Sequence, residues 1–164
     1  MNKSLFSAIV IFLLFSFNSC KNENEPVKGK TTHTSPQFKK EGELTFISAD
    51  SVASKKIEIE VAATDAEQQE GLMNRPWMEE SQGMLFIFND NTERAFWMKN
   101  TIMALDIIYV NSNKQIVTIA KNCQPFSEKN IPSYKPAQYV IEVIAGFTDK
   151  YNIKEGDRCT WQLL

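Results

Sequence analysis

The sequence predicts a mainly β fold, either a small antiparallel β-sandwich or an open barrel, with two short helices. Short apolar runs follow one another closely through residues 43–164, and turn-forming residues separate them. Few of the intervening segments are suited to a helical crossover, which parallel strands require. Closely spaced strands with few crossovers are typical of antiparallel sandwiches and open barrels.

Each strand is predicted from its own pattern of side chains. Residues 56–61 alternate strictly, which indicates a half-buried strand with Ile57 and Ile59 facing inward. The other runs are rich in the β-branched and aromatic residues that strands favour. The predicted strands are residues 43–47, 56–61, 84–88, 95–98, 105–110, 115–120, 139–144 and 158–163.

Capping and turn residues place the helices and loops. Thr64 and Glu67 form a capping-box motif that begins a short helix, and Gly71 is predicted to end it. A second short helix is predicted at residues 146–151. Turns are predicted at residues 89–91 and 111–113, and a long proline-containing loop at residues 123–138.

The N-terminus has the pattern of an export signal. Residues 5–17 are almost entirely apolar, and as a helix they would span about 20 Å, short of the roughly 30 Å hydrocarbon core of a bilayer. Residues 1–19 are therefore predicted to be a signal peptide. They end at Cys20 in a stretch that resembles the lipobox of bacterial lipoproteins, which predicts lipidation of Cys20. The alternative is ordinary cleavage that leaves a free thiol.

The segment after Cys20 predicts a tether and a cellular location. Residues 20–42 are predicted to be the lipidated cysteine and a disordered tether, because this polar segment has too few apolar residues to offset its ordering entropy. Residues 43–164 then form a single mainly β domain. We expect the chain to be held by its N-terminal lipid in a bacterial cell envelope, at the outer membrane on its periplasmic or surface face, since Lys21 follows the cysteine.

The composition argues against several classes of function. The formal net charge is −2 and no basic stripe is present, so no nucleic-acid partner is predicted. The only histidine, His33, lies in the tether, which excludes a histidine-based catalytic site from the domain. Methionine can bind Cu(I), but Met84 and Met98 lie in predicted strands, where methionine usually fills gaps in the core. No metal and no cofactor is predicted.

Cys123 and Cys159 are the two cysteines of the predicted domain. An even pair in an oxidising compartment suggests a disulfide. Alternatively, both could be buried as small apolar residues. The sequence leaves both alternatives open.

Two carboxylates interrupt predicted strands on apolar faces. Glu142 shares its face with Val140 and Ile144, and Asp106 shares its face with apolar residues of its own strand. An unpaired buried carboxylate is costly, so each should have a partner or a raised pKa. We therefore predict a buried polar cluster whose members are the ligand-binding candidates Arg75, Lys99, Asn100, Asp106 and Glu142.

Several blocks of the chain, taken in order, carry a family resemblance. The blocks are GLMNRPWM, GMLFIF, FWMKNT, LDIIYV, YVIEVIAG and IKEGDRC. Together they resemble the family catalogued as domain of unknown function 192, over about residues 56–161, with Ala104 standing where the family usually has proline. The resemblance implies a small mainly β domain, often secreted or lipid-anchored in bacteria, without an established role. It also implies that the five candidate residues belong to the family signature.

Three functions are compatible with these features. The first is a non-catalytic module that binds an unknown small polar ligand or an envelope protein, with Phe126, Ser127 and Tyr134 of the long loop lining the site. The second is an enzyme that uses the paired carboxylates as general acid and base. The third is a structural envelope protein whose cluster only stabilises the fold. The sequence favours the first, since it contains no nucleophile elbow and no phosphate-binding loop.

Overall fold

A curved seven-stranded sheet forms the body of the domain, in the order β6-β5-β8-β3-β2-β1-β9, and a small second sheet pairs β4 with β7. The structure is a computed structural model that describes residues 37–164. The predicted signal peptide, Cys20 and most of the predicted tether lie outside the described residues. The elements are β1 Gly42–Ile47, β2 Ala53–Ala62, α1 Asp65–Glu70, β3 Gln82–Thr92, β4 Ala95–Phe96, β5 Leu105–Val110, β6 Ile116–Cys123, β7 Ile131–Pro132, β8 Ala137–Ile144, α2 Phe147–Lys150 and β9 Arg158–Leu163.

One strand pair departs from the predicted antiparallel arrangement. β2 and β3 run parallel, with Glu60 opposite Met84. Residues 63–81, which include α1, form the crossover that this direction requires. The mainly β fold with two short helices is confirmed, but the sheet is mixed.

The sheet curls until its two edge strands touch at one point. Gln115, just before β6, forms an isolated bridge with Arg158 at the start of β9. Next to it, the Cys159 N–H donates to the Lys114 carbonyl at 3.0 Å. These contacts are confined to one end of the two strands, so the sheet resembles an open barrel and is not closed.

Two hydrophobic cores cover the two faces of the sheet. The first core packs against α2 and consists of Leu44, Phe46, Ile57, Ile59, Leu85, Ile108, Val110, Ile116, Ile141, Val143, Phe147, Ile153 and Cys159. The second core lies under the α1–β3 and β4–β5 connections and consists of Ala62, Leu72, Met78, Met84, Phe86, Met98, Met103, Leu105, Ile107, Tyr109, Cys123, Ala137 and Val140. Because both faces are covered, every residue of β5, which lies between β6 and β8, is buried.

The local predictions have mixed outcomes. The capping box of α1 is confirmed, since Glu67 Oε2 accepts from the Thr64 N–H at 2.9 Å and Thr64 accepts from the Glu67 N–H. The turn predicted at residues 89–91 is wrong. β3 continues through that segment to Thr92, and the register with β8 becomes irregular after Ile87. In the described part of the chain, no helix has the length and apolarity needed to cross a membrane.

The possible disulfide between Cys123 and Cys159 is not formed. Both residues are buried with free thiols. Cys123 belongs to the second core and Cys159 to the first. The sheet therefore lies between them, so the alternative of two buried small apolar residues describes this structure.

Candidate ligand-binding site

A cavity of about 400 Å³ lies on the second-core side of the sheet. Its walls come from α1 and the residues after it, from β3 and from β4 with the loop that follows. Glu142 of β8 contributes a carboxyl group to the lining. The full lining is Gln68, Gln69, Glu70, Gly71, Leu72, Met73, Phe86, Phe88, Ala95, Phe96, Trp97, Thr101, Asn130 and Glu142.

Aromatic rings hold one wall of the cavity together. The Phe96 ring lies edge-to-face against Phe86 at 5.0 Å between centroids, and against Phe88 at 6.3 Å. Edge-to-face pairs of this kind add to the stability that burial provides. Trp97 follows Phe96 and remains 43% exposed, which places it at the rim.

Backbone contacts hold the surrounding loops. Asn100 has a left-handed backbone with φ of 56°, a conformation that asparagine tolerates better than most residues. Its carbonyl accepts from the Asn74 N–H at 2.8 Å, which links the loop after β4 to the segment after α1. The Phe126 N–H donates to the Thr101 carbonyl at 3.1 Å and ties the long loop to the same region.

Glu142 is the unusual residue of the lining. It is only 5% exposed, and its neighbours across the sheet are Met84 and Ile107. Among residues 37–164, no ion pair or hydrogen bond stabilises its ionised form, and burial raises the pKa of this carboxyl to about 8. The cavity therefore contains a carboxyl group that is largely protonated at neutral pH and has no protein partner.

Glu60, two strands away on the same face, shows what a partnered carboxylate looks like here. It pairs with Met84 across the sheet, as Glu142 does, and is 6% exposed. Arg75 Nη1 lies 2.7 Å from Glu60 Oε2, and the Lys39 N–H donates to Oε1 at 2.9 Å. Buried carboxylates are normally paired in this way. The missing partner of Glu142 is therefore a specific feature of the cavity.

Asp106 has a structural environment. Its carboxylate accepts from the Thr148 N–H at 3.0 Å, the Thr148 hydroxyl at 2.7 Å, the Asn122 N–H at 2.9 Å and the Gly146 N–H at 3.3 Å. These donors come from the start of α2 and from the β6 end. Asp106 thus fastens α2 to the sheet, and its oxygens are occupied.

The predicted five-residue cluster does not form as one group. Ile107 lies opposite Glu142 and Asp106 lies opposite Val143, so the Glu142 and Asp106 side chains project from opposite faces of the sheet. The sequence defines the alternation of side chains within each strand but not the register between strands. Asp106 and Glu142 were therefore predicted to lie in one cluster, although each was assigned only to an apolar face of its own strand. Arg75 does not join either of these carboxylates, because it pairs with Glu60.

The remaining candidates lie near the cavity without lining it. Lys99 Nζ is 5.3 Å from the centre of the Trp97 ring. Asn100 Nδ2 is 4.0 Å from Met73 Sδ. From the long loop, Asn130 lines the cavity, whereas Phe126 and Tyr134 are exposed and do not.

Glu60 and the aromatic wall were not predicted from the sequence. Strict alternation in residues 56–61 placed Glu60 on the solvent side, but the crossover covers that side of β2. Each phenylalanine taken alone is an ordinary core residue, and the sequence carries no sign that Phe86, Phe88 and Phe96 leave a space between them. In the described part of the chain, no group of three or more His, Cys, Asp or Glu side chains is arranged to hold a metal ion.

Three known proteins are similar to this chain in sequence or in structure. UPF0127 protein PF1050 of Pyrococcus furiosus is 33% identical over 60 residues, which cover 35% of this chain and 47% of that protein. A Sinorhizobium meliloti crystal structure, provisionally described as a transcription regulator, aligns with a TM-score of 0.72 and 31% identity over 77% of this chain and 98% of that one. A protein of unknown function from Novosphingobium aromaticivorans aligns with a TM-score of 0.67 and 34% identity over 73% and 84%.

A family model confirms the resemblance found in the sequence blocks. The model of DUF192, described as "Uncharacterized ACR", matches residues 46–161. These residues include the cavity lining, the Arg75–Glu60 pair and Asp106. The chain belongs to the DUF192 family.

Proposed function

We propose that this domain is a non-catalytic module that binds a small molecule in the cavity above Glu142. The observation that carries the proposal is a buried carboxyl group, without a protein partner, in an aromatic-lined cavity. Apolar and aromatic walls that carry a small number of polar groups are the usual arrangement of small-molecule sites. A cavity of about 400 Å³ is within the usual size range of such sites.

The geometry changes the expected ligand. The five candidate residues in the sequence predicted a small polar ligand held by several charged groups. The aromatic and aliphatic walls instead favour a ligand with an apolar body and one polar group directed at Glu142.

The anchoring of the module is part of the same proposal. We propose that Cys20 carries lipid and that residues 21–42 let the domain reach its ligand from an outer-membrane surface. Support comes from the sequence alone, namely the apolar segment before Cys20 and the polar composition after it.

The enzyme alternative loses its main support. It required two carboxylates acting together, but Asp106 and Glu142 lie on opposite faces. Glu60 shares a face with Glu142, yet it is held by Arg75. A raised pKa suits a general acid, but among the described residues Glu142 has no hydrogen bond to a nucleophile or to a second acid–base group. The other carboxyl of the lining, Glu70, belongs to α1.

The net charge of −2 also supports a small-molecule ligand rather than nucleic acid. Affinity for nucleic acid depends on Lys and Arg contacts with phosphates. The provisional description of the Sinorhizobium protein as a transcription regulator therefore adds no second proposal for this chain.

A fragment screen by two-dimensional amide NMR tests the proposal. We expect saturable binding of compounds with an apolar body and one polar group, with shift changes confined to residues of the cavity lining. The blocking variant Ala95→Trp should abolish this binding, because Ala95 lines the cavity.

A matched control is Ala53→Trp, which places the same side chain at an exposed position of β2 outside the lining. It should leave binding unchanged. The structural-protein alternative would be supported if no compound in the screen produced shifts in the cavity lining.

A further inference from the structure

Resting on the proposed function, we infer that the ligand is an organic cation, an ammonium group attached to a small apolar body. The ammonium would lie against the Glu142 carboxylate and the aromatic rings. The apolar body would fill the rest of the cavity.

The charges of the lining are all of one sign. Its acidic residues are Glu70 and Glu142, and no Lys or Arg side chain is among the lining residues. A carboxylate or phosphate ligand would meet two acidic groups and no cation. An ammonium ligand would instead supply the partner that Glu142 lacks.

The wall chemistry points to the same class. Phe86, Phe88, Phe96 and Trp97 all line the cavity. The faces of aromatic rings attract cations, and aromatic cages are a recurrent means of binding quaternary ammonium groups. A carboxylate beside such rings combines this attraction with a charge-assisted contact.

The protein already places its own cations on two of these rings. The Arg94 guanidinium carbon lies 3.6 Å from the centre of the Phe88 ring, and Lys99 Nζ lies 5.3 Å from that of Trp97. Neither cation lines the cavity. Arg94 is also paired with Asp90, which neutralises its charge. The Phe86 and Phe96 rings carry no such contact among the described residues.

The other titratable groups near Glu142 do not replace the missing cation. Burial raises the pKa values of Tyr109 in β5 and Cys123 in β6. Glu142 is close enough to both groups to raise these pKa values by a smaller amount. Glu70 faces the cavity from α1, and Glu60 is two strands away with its own partner. None of these groups is a cation, so none of them stabilises the ionised form of Glu142, whereas a cationic ligand would.

A series of three probes that share a phenethyl group and differ in its polar substituent tests the inference. They are phenethyltrimethylammonium, 2-phenylethanol and 3-phenylpropionate, titrated into the protein by calorimetry and amide NMR. We expect the cation to bind on the order of tenfold more tightly than the alcohol at pH 7.5, and the anion not to bind.

The pH dependence adds a signature that apolar packing alone would not give. The quaternary probe keeps its charge at every pH, so its affinity should follow the ionised fraction of Glu142. Because the pKa of Glu142 is about 8 without ligand, affinity should rise by up to about tenfold per pH unit until near that value. Binding should release a proton, seen as a dependence of the calorimetric heat on the buffer.

Variants assign the effect to one residue. Glu142→Gln should remove both the preference for the cation and the pH dependence. Glu128→Gln, which removes an exposed carboxyl outside the lining, should leave both unchanged.

The outcomes separate this inference from the proposed function. The inference of a cationic ligand would be wrong if the alcohol and the cation bound with equal affinity, or if the affinity for the cation did not change with pH. Either result would still be compatible with a small-molecule site. Tighter binding of 3-phenylpropionate would lead to the same conclusion. If neither these probes nor the fragment screen perturbs the cavity lining, the proposed function itself fails.

Discussion

Three of the four buried carboxylates among the described residues meet the cost of burial in three different ways. Glu60 has an arginine partner, Asp106 accepts from several backbone and hydroxyl groups, and Glu142 has no partner among the described residues. Because an ionised carboxylate is expensive to bury, the first two are stabilised as part of the fold. Glu142 keeps its proton instead, so its burial lowers the stability of the fold as pH rises. A ligand that stabilises the ionised form would remove this loss of stability.

The free energy of unfolding of the Glu142→Gln variant should therefore increase, relative to that of the parent, as pH rises. An unfolded glutamate ionises near pH 4.3, whereas folded Glu142 ionises near pH 8. Below pH 4 both states hold the proton, and between these pKa values only the folded state does, so the parent loses stability with rising pH. Between pH 5 and 7.5 the variant should gain about 2–3 kcal/mol on the parent, measured by urea unfolding.

The control for this measurement is again Glu128→Gln. Glu128 is exposed, so its loss should leave the difference from the parent constant across the same pH range. If the difference in free energy of unfolding between Glu142→Gln and the parent is the same at pH 5 and pH 7.5, the Glu142 carboxyl is already ionised in the folded state.

Asp106→Asn should have the opposite effect. The Thr148 N–H and the Asn122 N–H donate to different oxygens of the carboxylate. An asparagine amide keeps one acceptor oxygen, so its NH2 group would face one of these two N–H groups and leave that donor without an acceptor. The expected loss is about 2–4 kcal/mol in urea unfolding at pH 7. Thr148→Val, which removes only the hydroxyl contact, should cost about 1 kcal/mol. An Asp106→Asn variant as stable as the parent would contradict the structural role.

At the scale of elements, α1 and the residues after it determine the shape of the cavity. The helix is short and has no buried residue, so its position depends on the capping box and on the chain that follows. Gly71 ends it with φ of 47° and ψ of −131°, a conformation that side chains disfavour. A Cβ at this position would lie 3.1 Å from Cζ of Phe86. Gly71 thus ends the helix and also leaves room for the Phe86 ring in the cavity wall.

Gly71→Ala should reduce both stability and binding. The backbone strain should cost about 1–3 kcal/mol, measured by urea unfolding. The contact with Phe86 should also shift that ring and weaken binding of the cationic probe, measured by calorimetry. Gly156→Ala is the matched control, since Gly156 has φ of 95° but a Cβ added there would meet no atom within 4 Å. It should lower stability and leave binding unchanged. Equal affinities in both variants would show that Gly71 does not shape the cavity.

At the scale of the whole molecule, the sheet separates two cores with different roles. The first core contains α2, whose attachment depends on Asp106. The second core borders the cavity through Phe86 and Leu72, which belong to both. The two faces therefore separate Asp106, which holds α2 in the fold, from Glu142, which lines the cavity.

The same separation keeps the two cysteines apart. Burial raises the pKa of Cys159 to about 12 and, with a smaller contribution from the nearby carboxylates Asp106 and Glu142, that of Cys123 to about 11. In a Cys20→Ser variant we expect both thiols to resist iodoacetamide in the native protein and to react fully once it is unfolded without reductant. Mass spectrometry counts the added groups. Unfolded protein that takes up none would contradict the free thiols.

Several features followed from local sequence. The bounds of β5 at residues 105–110 and β9 at residues 158–163 match the predicted strands, because apolar and β-branched runs define them. The capping box at Thr64 was predicted from the same short range of the chain. The sequence also identified Glu142 as a carboxylate on an apolar face, since that needs only the alternation within one strand.

Tertiary structure decided which groups share a face and what each one contacts. The register that sets Ile107 opposite Glu142 separates Asp106 from the cavity, and the crossover after β2 brings Arg75 to Glu60. Both depend on pairing between segments far apart in the chain. Alternation repeats every two residues, so a one-residue change in register would exchange the faces without changing the sequence pattern. The sequence by itself therefore determined the strands and the unusual carboxylates, and only the packed sheet determined that Glu142 alone of the two faces the cavity.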